Sequence, residues 1–311
     1  MRTSAVVVDA PRKIAVRDVV LSAPAAGDAV VDVRFSGIST GTERLIWSGD
    51  MPMFPGFGYP LVPGYESVGE VAEAAPDSGL AVGEFVFVPG SKGFEDVRGL
   101  FGGSARRIVS QSSRLTRIDP ALAKDGTLFA LAATAYHILA TGTPPDLIVG
   151  HGALGRLLAR LTVVFGHPSP RVWEQNPARH DGADGYEVIA PEDDQRKSYV
   201  SICDVSGDPK VLNTLIGYLA PGGEITLAGF YPGDVRFSFP PAFMKEARLR
   251  VAAEWKPDDL RGVRSLVESG ALSLGNLVTH AEAAGAAAQA YETAFTAPDC
   301  LKMVLDWSDA T

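Results

Sequence analysis

The stretch Asp146–Leu161, DLIVGHGALGRLLARL, decides the fold of this chain. It joins a short apolar run to an apolar helical pattern through the six residues GHGALG. A GxGxxG at a strand-to-helix junction is typical of a dinucleotide-binding turn, whereas the same letters without that setting carry little weight. Gly150 then makes the tight bend, Gly152 leaves room for a pyrophosphate, and Gly155 lets the helix pack on the strand. Because a helix start also offers free N–H groups to a diphosphate, we predict a phosphate site at Gly150, Gly152, Ala153, Leu154 and Gly155.

The sequence around this stretch alternates between apolar, strand-like runs and helical segments. The predicted strands are Leu147–Val149, Arg171–Glu174, Tyr186–Ile189, Tyr199–Val205, Glu224–Ala228 and Leu249–Ala252. The predicted helices are Leu128–Leu139, Ala153–Phe165, Pro209–Leu219 and Asp258–Ser269. Such alternation predicts right-handed βαβ units and a parallel sheet. The fold class is therefore α/β, with a Rossmann doubly wound sheet.

The first third of the chain consists instead of short strand-like runs separated by turns rich in Gly and Pro. The runs are Ala5–Val8, Ala29–Phe35, Ser67–Ala72 and Phe85–Val88. This pattern favours a folded-back β barrel over a helical bundle. We place the barrel at residues 1–120 and the dinucleotide-binding domain at residues 121–274. Residues 275–311 are expected to return to the barrel, because Leu301–Asp306 is predicted as a strand that needs a sheet, while Ala281–Ala290 is predicted as a helix.

The residues that follow the second predicted strand bear on which dinucleotide is bound. Glu174 ends that strand, and a carboxylate there can accept both hydroxyls of an adenosine ribose and repels a 2′-phosphate. Arg179 lies near enough to accommodate a 2′-phosphate, which argues in the other direction. On balance the sequence predicts NAD as the cofactor, with Glu174, Asn176 and Arg179 at its adenosine end.

Two later strands end in turns that we also assign to the cofactor side. Ligands of doubly wound sheets lie outside the carboxyl ends of the strands. The assigned residues are Asp204, Ser206, Gly229 and Phe230. The alternative for each of them is an ordinary turn with no ligand. His151, inside the glycine turn, is expected to be exposed near the phosphates.

Composition excludes several functional classes. The 311 residues carry 28 basic and 37 acidic side chains, a net charge of −9, and without a basic cluster no nucleic-acid partner is expected. The only cysteines, Cys203 and Cys300, rule out a disulfide scaffold and a four-cysteine zinc site. No signal peptide is recognisable, and no apolar run reaches the roughly 18 residues of a membrane span. We expect a cytoplasmic protein, with peripheral membrane contact left open.

Four motifs occur in the order known from the medium-chain dehydrogenase/reductase superfamily. They are Gly37–Glu43 (GISTGTE), Pro63–Glu66 (PGYE), Thr134–His137 (TAYH) and the GHGALG turn. The chain resembles this superfamily, and the resemblance implies a GroES-like β barrel ahead of the Rossmann sheet. By analogy with its members, a homodimer paired through the nucleotide domain is expected.

The first two motifs depart from the pattern of the zinc-dependent members. Those members resemble GICGTD and GHE at these places and supply a Cys and a His to a catalytic zinc. Here Ser39 or Thr40 stands where the Cys is expected, Tyr65 replaces the His, and only Glu66 matches. The resemblance is therefore to a zinc-free branch, and no metal is expected.

A closer likeness, over nearly the whole chain, is to the dehydrogenases of bacteriochlorophyll biosynthesis. It is carried by the segments 39–71, 172–179 and 253–274 together with the glycine turn. It implies oxidation of the C3 1-hydroxyethyl group of a bacteriochlorophyllide to acetyl, with a nicotinamide cofactor as hydride acceptor. Such a tetrapyrrole is wide, flat and apolar, and Trp47, Phe57 and Tyr59 are candidates to contact it. Packing in the barrel core is the alternative for these aromatic residues.

Without zinc, a side chain must take the hydroxyl proton while hydride leaves carbon. Tyr65 is the first candidate, although a phenol with a pKa of about 10 needs nearby positive charge to act as a base. Ser39 and Thr40 are candidates to relay the proton, and His137 to accept it. Glu66 is a further catalytic candidate, and a structural carboxylate paired with an arginine is its alternative.

Two other functions stay open from the sequence. A zinc-free quinone or enoyl reductase of the same superfamily would prefer NADPH, against which Glu174 argues. A nucleotide- or pigment-binding protein without catalysis would explain the missing metal ligands and the lack of an unambiguous base.

Overall fold

The computed structural model describes residues 1–308, which form two compact units. One comprises Met1–Ala130 together with residues 274–308, and we call it the barrel unit. The other comprises Leu131–Ser273, and we call it the nucleotide unit. Barrel and parallel sheet together confirm the predicted α/β fold class.

The nucleotide unit is built on a six-stranded parallel sheet. Its strands are β10 (Leu147–Val149), β11 (Arg171–Trp173), β12 (Glu187–Ile189), β13 (Tyr199–Asp204), β14 (Leu219–Leu227) and β15 (Arg248–Val251). They lie in the order β12-β11-β10-β13-β14-β15, which is the order typical of dinucleotide-binding sheets. The order reverses between β10 and β13, and ligands bind at such a reversal.

Helices pack on this sheet, and its central strand β10 is apolar and buried at every residue. The helices are α2 (Phe129–Thr141), which begins in the barrel unit, α3 (Ala153–Val164), α4 (Leu212–Tyr218), α5 (Phe239–Met244) and α6 (Pro257–Glu268). The core includes Leu147, Trp173, Ile202, Leu215 and Ile225. Tight packing in this core fixes the strand ends that carry the glycine turn.

The barrel unit contains the other strands of the described chain. They are β1 (Arg2–Ala10), β2 (Lys13–Val20), β3 (Asp28–Ile38), β4 (Leu61–Val62), β5 (Ser67–Ala74), β6 (Phe85–Val88), β7 (Arg98–Gly99), β8 (Arg107–Gln111), β9 (Thr116–Arg117), β16 (His280–Ala283) and β17 (Met303–Asp306). The order β2-β1-β4-β7 forms a four-stranded sheet, and β16-β17-β3-β5-β6-β9 with β8 on β3 forms a seven-stranded one. The remaining helices are α1 (Thr42–Ser48) and α7 (Ala287–Thr296). Single 3₁₀ segments lie at Ser112–Arg114, Pro120–Leu128, Pro177–Arg179, Pro191–Asp193 and Ala284–Ala286.

The C-terminal segment shows one success and one error of the sequence prediction. The expected last strand is present as β17, which pairs antiparallel with β3. The helix predicted at Ala281–Ala290 is wrong in its first part. His280–Ala283 is the strand β16, paired parallel to β17, and the helix begins at Ala287. Pairing along a sheet edge there overrides the helix preference of alanine.

None of the helices among residues 1–308 is both long enough and apolar enough to span a membrane.

Candidate active site

The glycine turn has the geometry that a diphosphate requires. Gly150 has φ = 104°, a backbone conformation that favours glycine. A Cβ on Gly155 would lie 1.9 Å from the Gly150 carbonyl oxygen, whereas a Cβ on Gly152 would meet nothing within 4 Å. Gly152 is the N-cap of α3 and provides no side-chain cap, so the first N–H groups of that helix are available to a ligand. The open space beside Gly152 therefore fits a pyrophosphate.

The predicted adenosine residues lie directly beside this turn. Both oxygens of the Glu174 carboxylate accept backbone N–H groups, one from His151 at 2.9 Å and one from Asn176 at 2.8 Å. The Asn176 side chain in turn accepts from the Ala178 N–H at 3.1 Å. The carboxylate is thus fixed at the end of β11, beside the glycine turn.

The expectation that His151 is exposed is wrong. The residue is fully buried, and its ring is hydrogen-bonded to the Arg179 carbonyl oxygen and the Tyr186 hydroxyl. Burial lowers the pKa of His151 to about 4, against the opposing effect of the Arg179 carbonyl. The imidazole is therefore neutral at physiological pH. The sequence pattern around GHGALG gave no sign of these partners, because they lie 28 and 35 residues further along the chain.

The turn after β13 is held by a buried carboxylate. Asp204 accepts from the Ser206 N–H at 2.9 Å, the Ser206 hydroxyl at 2.6 Å and the Tyr231 hydroxyl at 2.6 Å. Burial raises the pKa of Asp204, and the two hydroxyl contacts oppose that shift. Asp204 thus shapes the turn, while the Ser206 backbone packs against Gly150. Next to them, Gly229 leaves no room for a Cβ against the Gly207 backbone, and Phe230 is exposed.

In the barrel unit, two of the predicted catalytic side chains share a hydrogen bond. The Ser39 hydroxyl lies 2.7 Å from the Tyr65 hydroxyl. Ser39 is buried just after β3, and Tyr65 is half-buried just before β5. Thr40 is exposed. The structure therefore brings Tyr65 together with Ser39, the first of the two residues left open by the sequence.

Glu66, the residue after Tyr65, forms a buried ion pair. Its partner is Lys302, whose ammonium group donates to the Glu66 carboxylate and to the Ile38 carbonyl oxygen at 3.0 Å. Both side chains of the pair are at most 2% exposed. The partner expected for this carboxylate was an arginine, and that expectation is wrong. Sequence reasoning missed Lys302, although a lone lysine within the apolar run Leu301–Asp306 is a signal of a buried, paired charge.

A second buried carboxylate is hydrogen-bonded to the backbone of Ser39. Glu43 accepts from the Ser39 N–H at 3.0 Å and from the Tyr291 hydroxyl of α7. Burial raises the pKa of Glu43 to about 7, and its hydrogen bonds from Tyr291 and Ser39 limit the shift. Sequence reasoning also missed this residue, although it ends the quoted motif Gly37–Glu43.

The electrostatics around Tyr65 favour its neutral form. Burial is the main cause that raises its pKa above the ordinary value, and the negative charge of Glu66 adds to it. Hydrogen bonds from Ser39 and Thr42 act in the opposite direction. Tyr65 is therefore a proton donor until a positive charge arrives beside it.

His137 has a different environment from the other predicted catalytic residues. It lies on α2 in the nucleotide unit, and its Nδ1 is 2.8 Å from the Asp259 carboxylate. The same carboxylate caps α6 by accepting from the Lys256 N–H at 2.6 Å. The His137 ring is thus paired with a carboxylate that also caps a helix. Across residues 1–308, no three His, Cys, Asp or Glu side chains gather in an arrangement that could hold a metal ion.

The predicted substrate aromatics form two groups in the barrel unit. Phe57 stacks on Phe54 and meets Tyr59 edge-on, with ring centroids 5.5 Å apart in both pairs. Phe57 and Tyr59 cover a small core formed by Val8, Ile46, Met51 and Leu61. Trp47 instead packs on Phe295 and lies beneath the Arg12 guanidinium.

Comparison with known proteins agrees with this architecture. Residues 25–120 match the family model of the alcohol dehydrogenase GroES-like domain. The solved structure of acetophenone reductase from Geotrichum candidum in complex with NAD has a TM-score of 0.83 at 16% identity, covering 100% of this chain and 98% of that one. At that identity the likeness shows the fold alone.

Two relatives are much closer in sequence. The 2-desacetyl-2-hydroxyethyl bacteriochlorophyllide A dehydrogenase of Cereibacter sphaeroides is 58% identical, covering 99% of each chain. The enzyme of the same name from Rhodobacter capsulatus is 57% identical, covering 100% of each chain. The chain therefore belongs to the 2-desacetyl-2-hydroxyethyl bacteriochlorophyllide A dehydrogenase family, within the medium-chain dehydrogenase/reductase superfamily, and is an oxidoreductase.

Proposed function

We propose that this protein oxidises the 1-hydroxyethyl group of a bacteriochlorophyllide to acetyl, with NAD as hydride acceptor. Full-length identity of 58% to a relative named for that substrate is the observation that carries the proposal. The glycine turn with its open space at Gly152 supports a dinucleotide cofactor, and the Ser39–Tyr65 pair supports proton transfer.

Tyr65 and Ser39 are proposed to handle the proton. Oxidation breaks the O–H bond of the hydroxyl group and the C–H bond of the alcohol carbon, and a C=O bond forms. The nicotinamide ring, when bound, takes the hydride and, in its oxidised form, contributes a positive charge. A positive charge beside Tyr65 would lower its pKa, so that the phenolate could accept the hydroxyl proton while the Ser39 hydroxyl keeps its hydrogen bond to the Tyr65 oxygen. In the reverse direction the neutral phenol returns the proton.

The other predicted catalytic residues receive different roles in this proposal. Glu66 acts indirectly, because its carboxylate is committed to Lys302. Thr40 and His137 are not needed, since Thr40 is exposed and His137 is bonded to a helix-capping carboxylate. Phe57 and Tyr59 are proposed to contact the flat face of the macrocycle, and Trp47 to support that region.

Glu174 supports NAD rather than NADP. Its two oxygens are held by backbone N–H groups at the end of β11, so the carboxylate cannot rotate away from the 2′-phosphate of NADP. Repulsion between the two would weaken NADP binding. Asn176 and Arg179 complete the proposed adenosine end, and Asp204, Ser206, Gly229 and Phe230 the nicotinamide side.

One experiment tests the activity. The purified protein is incubated with the hydroxyethyl pigment and either NAD or NADP, and absorbance is recorded. A red shift of the pigment with NADH formation at catalytic rate, stronger with NAD than with NADP, is the expected result. Consumption of NADPH with a quinone or enone would favour a reductase instead. Pigment binding without turnover would favour a carrier.

We also propose that the protein forms a homodimer through the nucleotide unit. Strand β15 is the edge of the six-stranded sheet, and its Val251 side chain is 76% exposed. An exposed edge strand is a template for pairing with a second copy. An apolar hollow of about 520 Å³ lies beside it, lined by Phe237, Phe239, Phe243, Met244 and Leu249. Light scattering should give the dimer mass for the native protein and the monomer mass for Val251→Lys.

A lipid surface is the other outcome for this apolar region. A native monomer that binds lipid vesicles would replace the dimer proposal by peripheral membrane contact. The cytoplasmic location expected from the sequence stays a prediction.

A further inference from the structure

The histidine inside the glycine turn has no part in the proposed reaction, yet it is fully buried and paired at both ring nitrogens. Its Nδ1 lies 2.6 Å from the Arg179 carbonyl oxygen, and its Nε2 lies 2.8 Å from the Tyr186 hydroxyl. A carbonyl oxygen only accepts, so Nδ1 carries the proton and Nε2 accepts from the Tyr186 hydroxyl. The imidazole of His151 is therefore a neutral link between the glycine turn and two later segments.

Arg156, one turn into α3, holds the same carbonyl from a second direction. Its Nη2 donates to the Arg179 carbonyl oxygen at 3.0 Å, and its Nε donates to the His151 carbonyl oxygen at 3.2 Å. The side chain is buried. Two donors from the turn and its helix thus converge on one backbone oxygen.

The segment 174–180 is also fixed where it begins. The Glu174 carboxylate accepts the His151 N–H at 2.9 Å. Within the segment, His180 Nε2 donates to the Glu174 carbonyl oxygen at 2.8 Å. One residue, His151, therefore holds the start of this segment with its backbone and the end of it with its ring.

We propose that His151 is a positioning residue for the adenosine end of the cofactor site, which holds the segment 174–180 in its binding shape before the dinucleotide arrives. The inference rests on the proposed binding of NAD at the glycine turn. A segment that is already ordered avoids the entropy cost of ordering on binding. The benefit should fall on the adenosine half of the cofactor, because the segment carries Glu174, Asn176 and Arg179, which are proposed to bind that half.

Two substitutions at one position separate the ring contacts. In His151→Asn the side-chain amide can occupy the place of Nδ1 and still donate to the Arg179 carbonyl. In His151→Gln the amide reaches toward Tyr186 and leaves that carbonyl to Arg156. The matched control is His167→Gln, the same change at a histidine of the nucleotide unit outside this segment.

Two probes are used: ADP, which carries the adenosine half of the cofactor, and nicotinamide mononucleotide, which carries the other half. The affinity of each is measured by its competition with NADH, followed by NADH fluorescence. We expect His151→Gln to weaken ADP binding about tenfold, the value of one lost hydrogen bond. His151→Asn should stay within about threefold of the native protein. Binding of nicotinamide mononucleotide should be the same in all variants. A purely structural defect would lower both affinities together by reducing the folded fraction.

A spectroscopic measurement tests the same arrangement without any ligand. In ¹⁵N-labelled protein the His151 ring should show its proton on Nδ1. A proton on Nε2, or equal ADP affinity in His151→Gln and the native protein, would overturn the inference while leaving the cofactor proposal intact. A native protein that binds neither ADP nor NADH would overturn the cofactor proposal, and this inference with it.

Discussion

The glycine turn and the Ser39–Tyr65 group are built from different chemical groups, the first from backbone and the second from side chains. The turn is made of backbone, with three glycines that leave space or allow close approach, and its strand–turn–helix is continuous in sequence. The Ser39–Tyr65 group is made of side chains, supported by the buried carboxyl group of Glu43 and by the buried ion pair of Glu66 and Lys302. Added bulk should therefore damage the first region, and a change of charge should damage the second.

The largest effect is expected from Lys302→Met. The change leaves the Glu66 carboxylate buried without its cation, which costs about 3–5 kcal/mol of unfolding free energy. Urea denaturation followed by circular dichroism measures the loss. The double variant Lys302→Met/Glu66→Gln removes both charges and should be more stable than Lys302→Met alone. A loss below about 1 kcal/mol in the single variant would contradict the importance of this pair.

The second-largest effect is expected from Tyr65→Phe, and it is a loss of catalytic rate rather than of stability. Removal of the proton-handling hydroxyl is expected to lower kcat by about a hundredfold or more, with NADH affinity unchanged. Steady-state kinetics and fluorescence titration measure the two quantities. Tyr218→Phe, the same change on α4 of the nucleotide unit, is the control and should keep full turnover. Full turnover in Tyr65→Phe would remove Tyr65 from the mechanism.

A pair of glycine substitutions tests the backbone region. Gly155→Ala sets a Cβ against the Gly150 carbonyl oxygen and should destabilise the protein by about 1–3 kcal/mol. Gly152→Ala meets only open space and has a φ of −73°, so its stability should stay within about 0.5 kcal/mol. Its methyl group would occupy the phosphate space and weaken NADH binding at least about tenfold. Tight NADH binding by Gly152→Ala would place the diphosphate elsewhere.

The last test concerns pH and Glu43. The folded protein holds the pKa of this carboxyl at about 7, above its ordinary 4.5. Between these values the folded state keeps a proton that the unfolded state has released. The contribution of Glu43 to stability is thus fully present below pH 4.5 and is lost as pH rises to about 7. The stability difference between the native protein and Glu43→Gln should change across this window and stay constant above it. A constant difference from pH 5 to 8 would show that Glu43 does not titrate there.

The same contrast explains what the sequence could predict. The strands Leu147–Val149 and Phe85–Val88 have the predicted bounds, because the ends of a short apolar run are set by the turn residues next to it. The place of Glu174 beside the glycine turn follows from strand order alone. Lys302 and Tyr291 could not be assigned to their partners, since the contacts to Glu66 and Glu43 span 236 and 248 residues. His151 was misjudged for the same reason, because its burial depends on residues brought in by β12 and the segment after β11.

The pairing of β17 with β3 has a consequence for synthesis on the ribosome. Strand β3 is made before the nucleotide unit, and its partner β17 is made after that unit. All of the nucleotide unit emerges between them, and domains generally fold as units during synthesis. The nascent chain can thus complete its glycine turn before β3 pairs with β17. Lys302 directly precedes β17, so the ion pair that supports the Ser39–Tyr65 group can form only after the whole nucleotide unit has been made.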